Sequence, residues 1–127
     1  MSNFKNNYDL EERVAKFGEE IIRFCKLAKK DSIVLPLLNQ FVRSATSIGA
    51  NYMEANGASS PKDFSNKIYI CKKESQETKY WLRMLSGYYP EHKEQLRGYW
   101  QEAQELTLIF NKIVTTLKIK NSLKIKK

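Results

Sequence analysis

The segment from Arg43 to Leu85 decides the fold, through two stretches that read RSATSIGANYMEANG at residues 43–57 and CKKESQETKYWLRML at residues 71–85. Small or apolar residues recur in both stretches at alternating spacings of three and four, the period of a helix with one buried face. Between them, Ser60-Pro61 is typical of a helix start, because proline tolerates the first turn. The segment therefore predicts two amphipathic helices packed against each other.

The same periodicity continues toward both ends of the chain and predicts two further helices, with no alternation typical of strands. The expected helices are helix one over about residues 9–30, helix two from Pro36 to Asn56-Gly57, helix three from Ser60-Pro61 to the turn at Gly87 and Pro90, and helix four over about residues 91–117. Four long helices joined by short turns favour an all-α, up-down-up-down four-helix bundle.

The expected boundaries are an N-terminal arm at residues 1–8, the bundle at residues 9–117 and a basic C-terminal extension at residues 118–127. The extension repeats Lys-Ile-Lys, and we expect it to be frayed or mobile. Asp9 and Glu12 predict the N-terminal cap of helix one, and Gly57 predicts a left-handed stop to helix two.

Composition favours a basic, soluble protein that stays in the cytoplasm. The chain has 22 Lys and Arg residues against 14 Asp and Glu, a net charge of +8. It contains neither a bilayer-spanning apolar run nor a secretory signal, and we expect Cys25 and Cys71 to be reduced core thiols. The charge favours a polyanionic partner such as nucleic acid, and the alternative is that it serves solubility.

The face of helix two opposite its apolar stripe predicts an assembly surface formed by Arg43, Ser47, Ala50 and Glu54. The small residues would let another helix approach closely. Arg43 and Glu54 lie too far apart to pair within one helix, so we expect them to pair with a neighbouring subunit. Trp81 widens the apolar surface of helix three and is expected to join this interface. The alternative is an ordinary solvent-exposed face.

Basic and aromatic residues predict a nucleic-acid surface. Its candidate residues are Lys72, Lys79 and Arg83 on helix three with Tyr80 beside them, and Lys26 and Lys30 on helix one. Lysine and arginine can neutralise phosphates, and an exposed tyrosine can stack on an unpaired base. A solvated face is the alternative for each residue. No motif that reads base sequence is present, so we expect little sequence selectivity.

Catalysis, a metal site and a cofactor site are not expected. The one histidine, His92, lacks the Glu-x-x-His spacing of di-iron bundles, and there is no glycine-rich phosphate loop. The scattered carboxylates of Glu54, Glu74 and Glu77 are more consistent with a hydrogen-bonded layer that includes Ser75, Asn51 or Arg43.

Two patterns carry a resemblance to a known family: Arg43-Ser44-Ala45-x-Ser47-Ile48-x-x-Asn51-x-x-Glu54-Ala55, and Glu74-Ser75-x-Glu77-Thr78-x-Tyr80-Trp81-Leu82. They resemble the bacterial four-helix bundle proteins encoded in intervening sequences of 23S rRNA genes. The resemblance implies a bundle that assembles into a ring-like homopentamer. A related branch, the accessory variability determinant of diversity-generating retroelements, is a basic pentamer that binds nucleic acid and a reverse transcriptase. The family often has glycine where this chain has Ala55, which predicts a helix two longer by a turn or less.

The leading hypothesis from the sequence is a non-enzymatic homo-oligomer, pentameric by resemblance, that binds RNA or DNA electrostatically. The rival hypothesis is a protein-interaction scaffold for a polymerase or reverse transcriptase, in which the basic surface complements an acidic partner.

Overall fold

Four α-helices build the protein, shown by a computed structural model that describes residues 7–126 and the side chains of residues 9–123. The helices are α1 (Asn7–Leu27), α2 (Leu35–Asn56), α3 (Pro61–Tyr88) and α4 (Lys93–Lys126), with a 3₁₀ turn at Pro90–His92 before α4. The described residues contain no strand. The predicted all-α class is therefore confirmed.

Contacts between the helices fix their directions. On α2 and α3, Arg43 pairs with Glu74, whereas Glu54, further along α2, pairs with the earlier Lys67, so the two helices are antiparallel. Between α1 and α4, Arg13 pairs with Glu102 and Phe24 contacts His92, which is again antiparallel. Because α1 packs on α2, and α3 on both α2 and α4, the helices run up, down, up and down, with α3 diagonally across from α1.

The core is formed by the stripes that the sequence predicts. All six apolar positions predicted to face inward on α2, from Leu38 to Ala55, are buried, as are Ile68 to Leu85 on α3 and Val14 to Ala28 on α1. On α4 the stripe is buried from Leu96 to Phe110, after which the burial of its residues falls. Helical spacing of apolar residues therefore suffices to locate most of the core.

A buried polar layer crosses the middle of the α2–α3 interface. The hydroxyl oxygens of Ser44 and Thr78 lie 2.9 Å apart, and each also lies within hydrogen-bond distance of a carbonyl of its own helix, that of Phe41 or Glu74. The Ser75 hydroxyl donates to the Cys71 carbonyl at 2.9 Å. Every buried side-chain polar atom in the described region has a hydrogen-bond partner. These hydroxyls therefore fit the core without an unsatisfied donor or acceptor.

Aromatic rings fill the end of the bundle where α1 ends and α4 begins. The Phe24 ring makes edge-to-face contacts with four other rings, at centroid distances of 5.4–6.4 Å: Phe41, Tyr89, His92 and Tyr99. Edge-to-face pairs stabilise beyond the area they bury, because the positive ring edge meets the negative ring face. This cluster joins residues from α1, α2, the 3₁₀ turn and α4.

Helix ends differ from the sequence predictions in two places and agree at a third. Helix α1 begins at Asn7, two residues before the predicted cap at Asp9, and only residues 7 and 8 of the predicted arm lie within the described region. Helix α2 ends at Asn56 as predicted, yet Gly57 has φ −102°, so it does not use the left-handed conformation. At the start of α3, Ser60 accepts a hydrogen bond from the Asp63 amide at 3.0 Å, which confirms the predicted cap.

The predicted C-terminal extension is helical in the described residues, because α4 continues for 34 residues to Lys126, and its predicted fraying or mobility stays a prediction. No glycine or proline interrupts the chain after Gly98, so nothing in that segment stops the helix. Residues 118–126 are thus an extension of α4 rather than a separate segment.

Candidate assembly and nucleic-acid surfaces

A polar cluster lies on the outer side of the seam between α2 and α3. The Arg43 guanidinium lies 3.3 Å from the Glu74 carboxylate and also pairs with Glu77. The indole N–H of the half-buried Trp81 donates to Glu77 at 3.0 Å. This indole bond, together with Arg43, lowers the pKa of the Glu77 carboxyl below its ordinary value. The hydrogen-bonded layer predicted for Glu74, Glu77 and Arg43 is confirmed, while Ser75 bonds its own helix instead.

Arg43 and Glu54 each have an ion-pair partner within their own chain, and their predicted pairing with a neighbouring subunit stays a prediction. Arg43 pairs with α3 of its own chain, and Glu54 pairs with Lys67 at 2.7 Å. Ser47 is half-buried, and its carbonyl accepts from the Asn51 amide of the same helix at 2.9 Å. Arg43 and Glu54 therefore join α2 to α3, and Trp81 holds the Glu77 carboxylate that Arg43 meets. Their place in a subunit interface stays a prediction.

Ala50, the remaining predicted interface residue, is exposed and lines a shallow groove between α1 and α2. The groove has a volume of about 410 Å³. Its floor includes Gly18 and Gly49, which bring the helices close: an added Cβ at either would lie 3.5–3.6 Å from the facing helix. Two large apolar side chains flank it and are half-exposed, Ile22 at 49% and Met53 at 53%. We name this surface the α1–α2 groove.

Sequence reasoning missed Ile22 and Met53 because they lie beside the apolar stripes rather than within them. The sequence did contain an indication that these two residues are exposed. Ile22 follows the core residue Ile21, and Met53 lies three positions after Ala50 on the outer side of α2. Apolar residues at such positions cannot join the core, and they leave apolar surface available for another molecule.

The four α3 residues that were predicted to bind nucleic acid differ in their contacts. Lys79 turns toward α4, where its amino group contacts Gln104 and lies 5.1 Å from the Trp100 ring centroid. Lys72 lies 5.9 Å from the Tyr69 ring centroid. Arg83 and Tyr80 are exposed, and the Tyr80 ring packs edge-on against Trp81. These residues extend along α3 without forming a pocket.

Lys26 and Lys30 lie at the end of α1, where Lys30 lines a shallow pocket together with Tyr88 from the end of α3. The Lys30 amino group donates to the carbonyls of Ala28 at 2.8 Å and Lys26 at 3.1 Å, where it caps the end of α1. The joint role of all six predicted residues in nucleic-acid binding stays a prediction.

Both cysteines are free thiols in apolar surroundings. Cys71 is buried and lies 3.5 Å from the Ile48 carbonyl, and burial raises the pKa of its thiol to about 12. Cys25 is half-buried, and burial raises the pKa of its thiol to about 11. The thiolate is the reactive form, so both side chains are poor nucleophiles at neutral pH.

We expect iodoacetamide to label Cys71 in the folded protein on the order of a thousandfold more slowly than in the urea-unfolded protein, because so little thiolate forms. Labelling followed by intact-mass spectrometry at pH 7.5 measures this, and Cys25 is expected to react before Cys71. Rapid labelling of Cys71 without unfolding would contradict the buried position.

Two kinds of feature are absent from the described residues. No group of three or more His, Cys, Asp or Glu side chains comes together as metal ligands would. No helix in that region has an apolar stretch long enough to cross a bilayer. The histidine, His92, is half-buried against Phe24.

The fold and these surfaces define a small, basic four-helix-bundle protein with exposed apolar grooves. The chain belongs to the family of 23S rRNA-intervening sequence proteins, whose family model matches residues 6–112. It is similar to a protein of unknown function from the S23 ribosomal protein family of Bacteroides thetaiotaomicron, whose crystal structure is known. The two are 32% identical with a TM-score of 0.75, over 82% of this chain and 96% of that one. No curated protein matches this chain.

Proposed function

We propose that this protein is a non-enzymatic, cytoplasmic homo-oligomer, with five subunits as the sequence resemblance implies, that binds nucleic acid electrostatically and with little sequence selectivity. The main support for the proposal is that few of the protein's lysines lie close to a carboxylate. Among the described side chains, Lys67 is the only lysine with a carboxylate within 4.0 Å.

The bundle's ion pairs otherwise use arginine. Arg13 holds Glu102 through two hydrogen bonds of 2.7 and 2.8 Å and also contacts Glu105, and Arg43 holds Glu74 and Glu77. Four carboxylates thus pair with arginines that join helices, and the described lysines other than Lys67, Lys72 and Lys79 are exposed. Unpaired lysines give a positive field that attracts phosphates and releases condensed counterions on binding.

Self-association is supported by the α1–α2 groove. Its small residues leave room for another backbone to approach, and the flanking Ile22 and Met53 would lose their exposed apolar area on contact with a second copy. Burying such area favours association by about 25 cal/mol per Å² before the entropy of association is counted. The same groove could instead accept a different protein, which makes a scaffold for a reverse transcriptase the second candidate.

The experiment that tests the proposal is solution mass by light scattering, with and without a single-stranded RNA, at low and high salt. We expect an oligomer that takes up RNA at low salt and releases it at high salt. An oligomer indifferent to RNA at both salt concentrations would favour the scaffold, and a monomer would contradict the assembly.

We expect Ala50→Arg to dissociate the oligomer while leaving the helices intact, because a long charged side chain would fill the α1–α2 groove. Sedimentation velocity measures the assembly and far-ultraviolet circular dichroism measures the helices. Gln101→Arg adds the same side chain at an exposed position of α4 and is the control. An unchanged sedimentation coefficient for Ala50→Arg would remove the groove from the interface.

A further inference from the structure

The last turns of α4 project past the end of α2. Glu54, near the end of α2, pairs with Lys67, whereas the first turn of α3 lies before Lys67 and lines one cleft with Leu117 and Leu123 of α4. Ile119 is 56% exposed and Leu123 59%. Short helical segments without packing partners are marginal in water, which favours a ligand that covers these turns.

A cleft lies between this projecting part of α4 and the first turn of α3. Its volume is about 1070 Å³, near the upper limit of about 1000 Å³ that is usual for ligand pockets. Its apolar wall is formed by Phe64, Leu117 and Leu123. An aromatic ring beside two leucines presents a surface of the kind on which a nucleobase packs. We name this space the end cleft.

The polar wall of the end cleft is cationic. Lys62 and Lys120 line it from α3 and α4, and Asn121 adds an amide that can both donate and accept hydrogen bonds. No carboxylate is among the described residues that line it. An apolar wall beside positively charged amino groups is complementary to a ligand whose flat apolar groups are linked by negatively charged groups.

The α4 side of the end cleft belongs to a stretch of sequence whose charge is entirely positive. After Glu105 the sequence contains no Asp or Glu, while it contains six lysines, at positions 112, 118, 120, 124, 126 and 127. A second copy docked through this segment would bring its own lysines and be repelled, so the charge favours a polyanion over self-contact. Residues 113–126 also lie beyond the part of the chain that matches the family, residues 6–112.

We infer that the end cleft binds single-stranded nucleic acid, with phosphates held by Lys62 and Lys120 and an unpaired base against Phe64, Leu117 and Leu123. This inference rests on the proposed function and locates its ligand site away from the outer face of α3. A duplex fits poorly, since its bases are stacked on one another and their faces are not available.

The test is fluorescence anisotropy with a labelled twelve-nucleotide oligouridylate. Lys62→Gln/Lys120→Gln is compared with Lys29→Gln/Lys93→Gln, a control with the same charge change at the other end of the bundle. The cleft variant is expected to bind on the order of tenfold more weakly at low salt, with a salt slope flatter by about 1.4, while the control stays close to wild type. Equal melting temperatures show that both variants fold.

A second variant, Leu123→Ala, tests the apolar wall without changing charge or burial in the core. It is expected to lower affinity for the oligonucleotide about threefold at an unchanged salt slope, because it removes contact area for the base. Equal loss in the two lysine variants would overturn the end cleft while leaving the proposed function in place. A wild-type protein that binds no RNA at low salt, or that binds poly-glutamate instead, would overturn both.

Discussion

Replacing Phe24 by alanine is expected to lower the free energy of unfolding by about 3–5 kcal/mol, the usual cost of removing a buried phenylalanine. The ring contacts Phe41, Tyr89, His92 and Tyr99, which come from three other elements of the bundle. Its removal leaves a cavity that these rings cannot all close, because each is fixed by its own helix or turn. Urea unfolding followed by circular dichroism at a fixed protein concentration measures the loss.

Two further variants separate volume from ring contacts at this position. Phe24→Leu keeps most of the apolar volume and loses the edge-to-face contacts, so we expect it to cost roughly 1–2 kcal/mol. Tyr69→Ala removes a half-exposed ring and should change stability by less than about 0.5 kcal/mol. A Phe24→Ala variant no less stable than Tyr69→Ala would show that the aromatic cluster does not hold the bundle end together.

Affinity for single-stranded RNA is expected to depend steeply on salt. If the six lysines that follow Glu105 all contact phosphates, the slope of log K against log salt is about −4 for a single strand. Binding then weakens by roughly 300-fold between about 50 and 200 mM salt. The physical reason is that each lysine–phosphate contact releases condensed counterions, which high salt opposes.

Anisotropy titrations across salt concentrations measure that slope. A morpholino oligomer of the same base sequence, which has an uncharged backbone, is the control and is expected to bind far more weakly at low salt. Replacing the five lysines from Lys118 onward by glutamine should flatten the slope by about 3.5. Affinity that is the same at low and high salt would rule out electrostatic binding.

Spacing in the sequence located most of the core, because burial on a helix depends on a local period. The stripe from Leu38 to Ala55 needs no knowledge of the neighbouring helix, and each of its positions is buried. The family could also be identified from the residues around Glu54 and Glu77, whose order and spacing are specific.

Which side chains pair between two helices could not be predicted from the sequence in the same way. Separation along one helix ruled out a pair between Arg43 and Glu54, but the register of α2 against α3 sets which carboxylates Arg43 reaches. That register depends on how two surfaces pack, and no single helix encodes it. The extension of α4 was missed for another reason: its Lys-Ile-Lys repeat lacks an apolar stripe, although nothing after Gly98 ends a helix.

The alternating directions of the four helices have a consequence for any cyclic assembly of this chain. Helix α4 ends at the same bundle end in every copy, so rotation about one axis places all the projecting helices at equivalent positions around the ring. A strand long enough to reach two clefts would gain avidity, since its second attachment occurs at high effective concentration. A strand that reaches only one cleft would gain no avidity. Strand length, rather than base sequence, would then decide which RNAs the assembly retains.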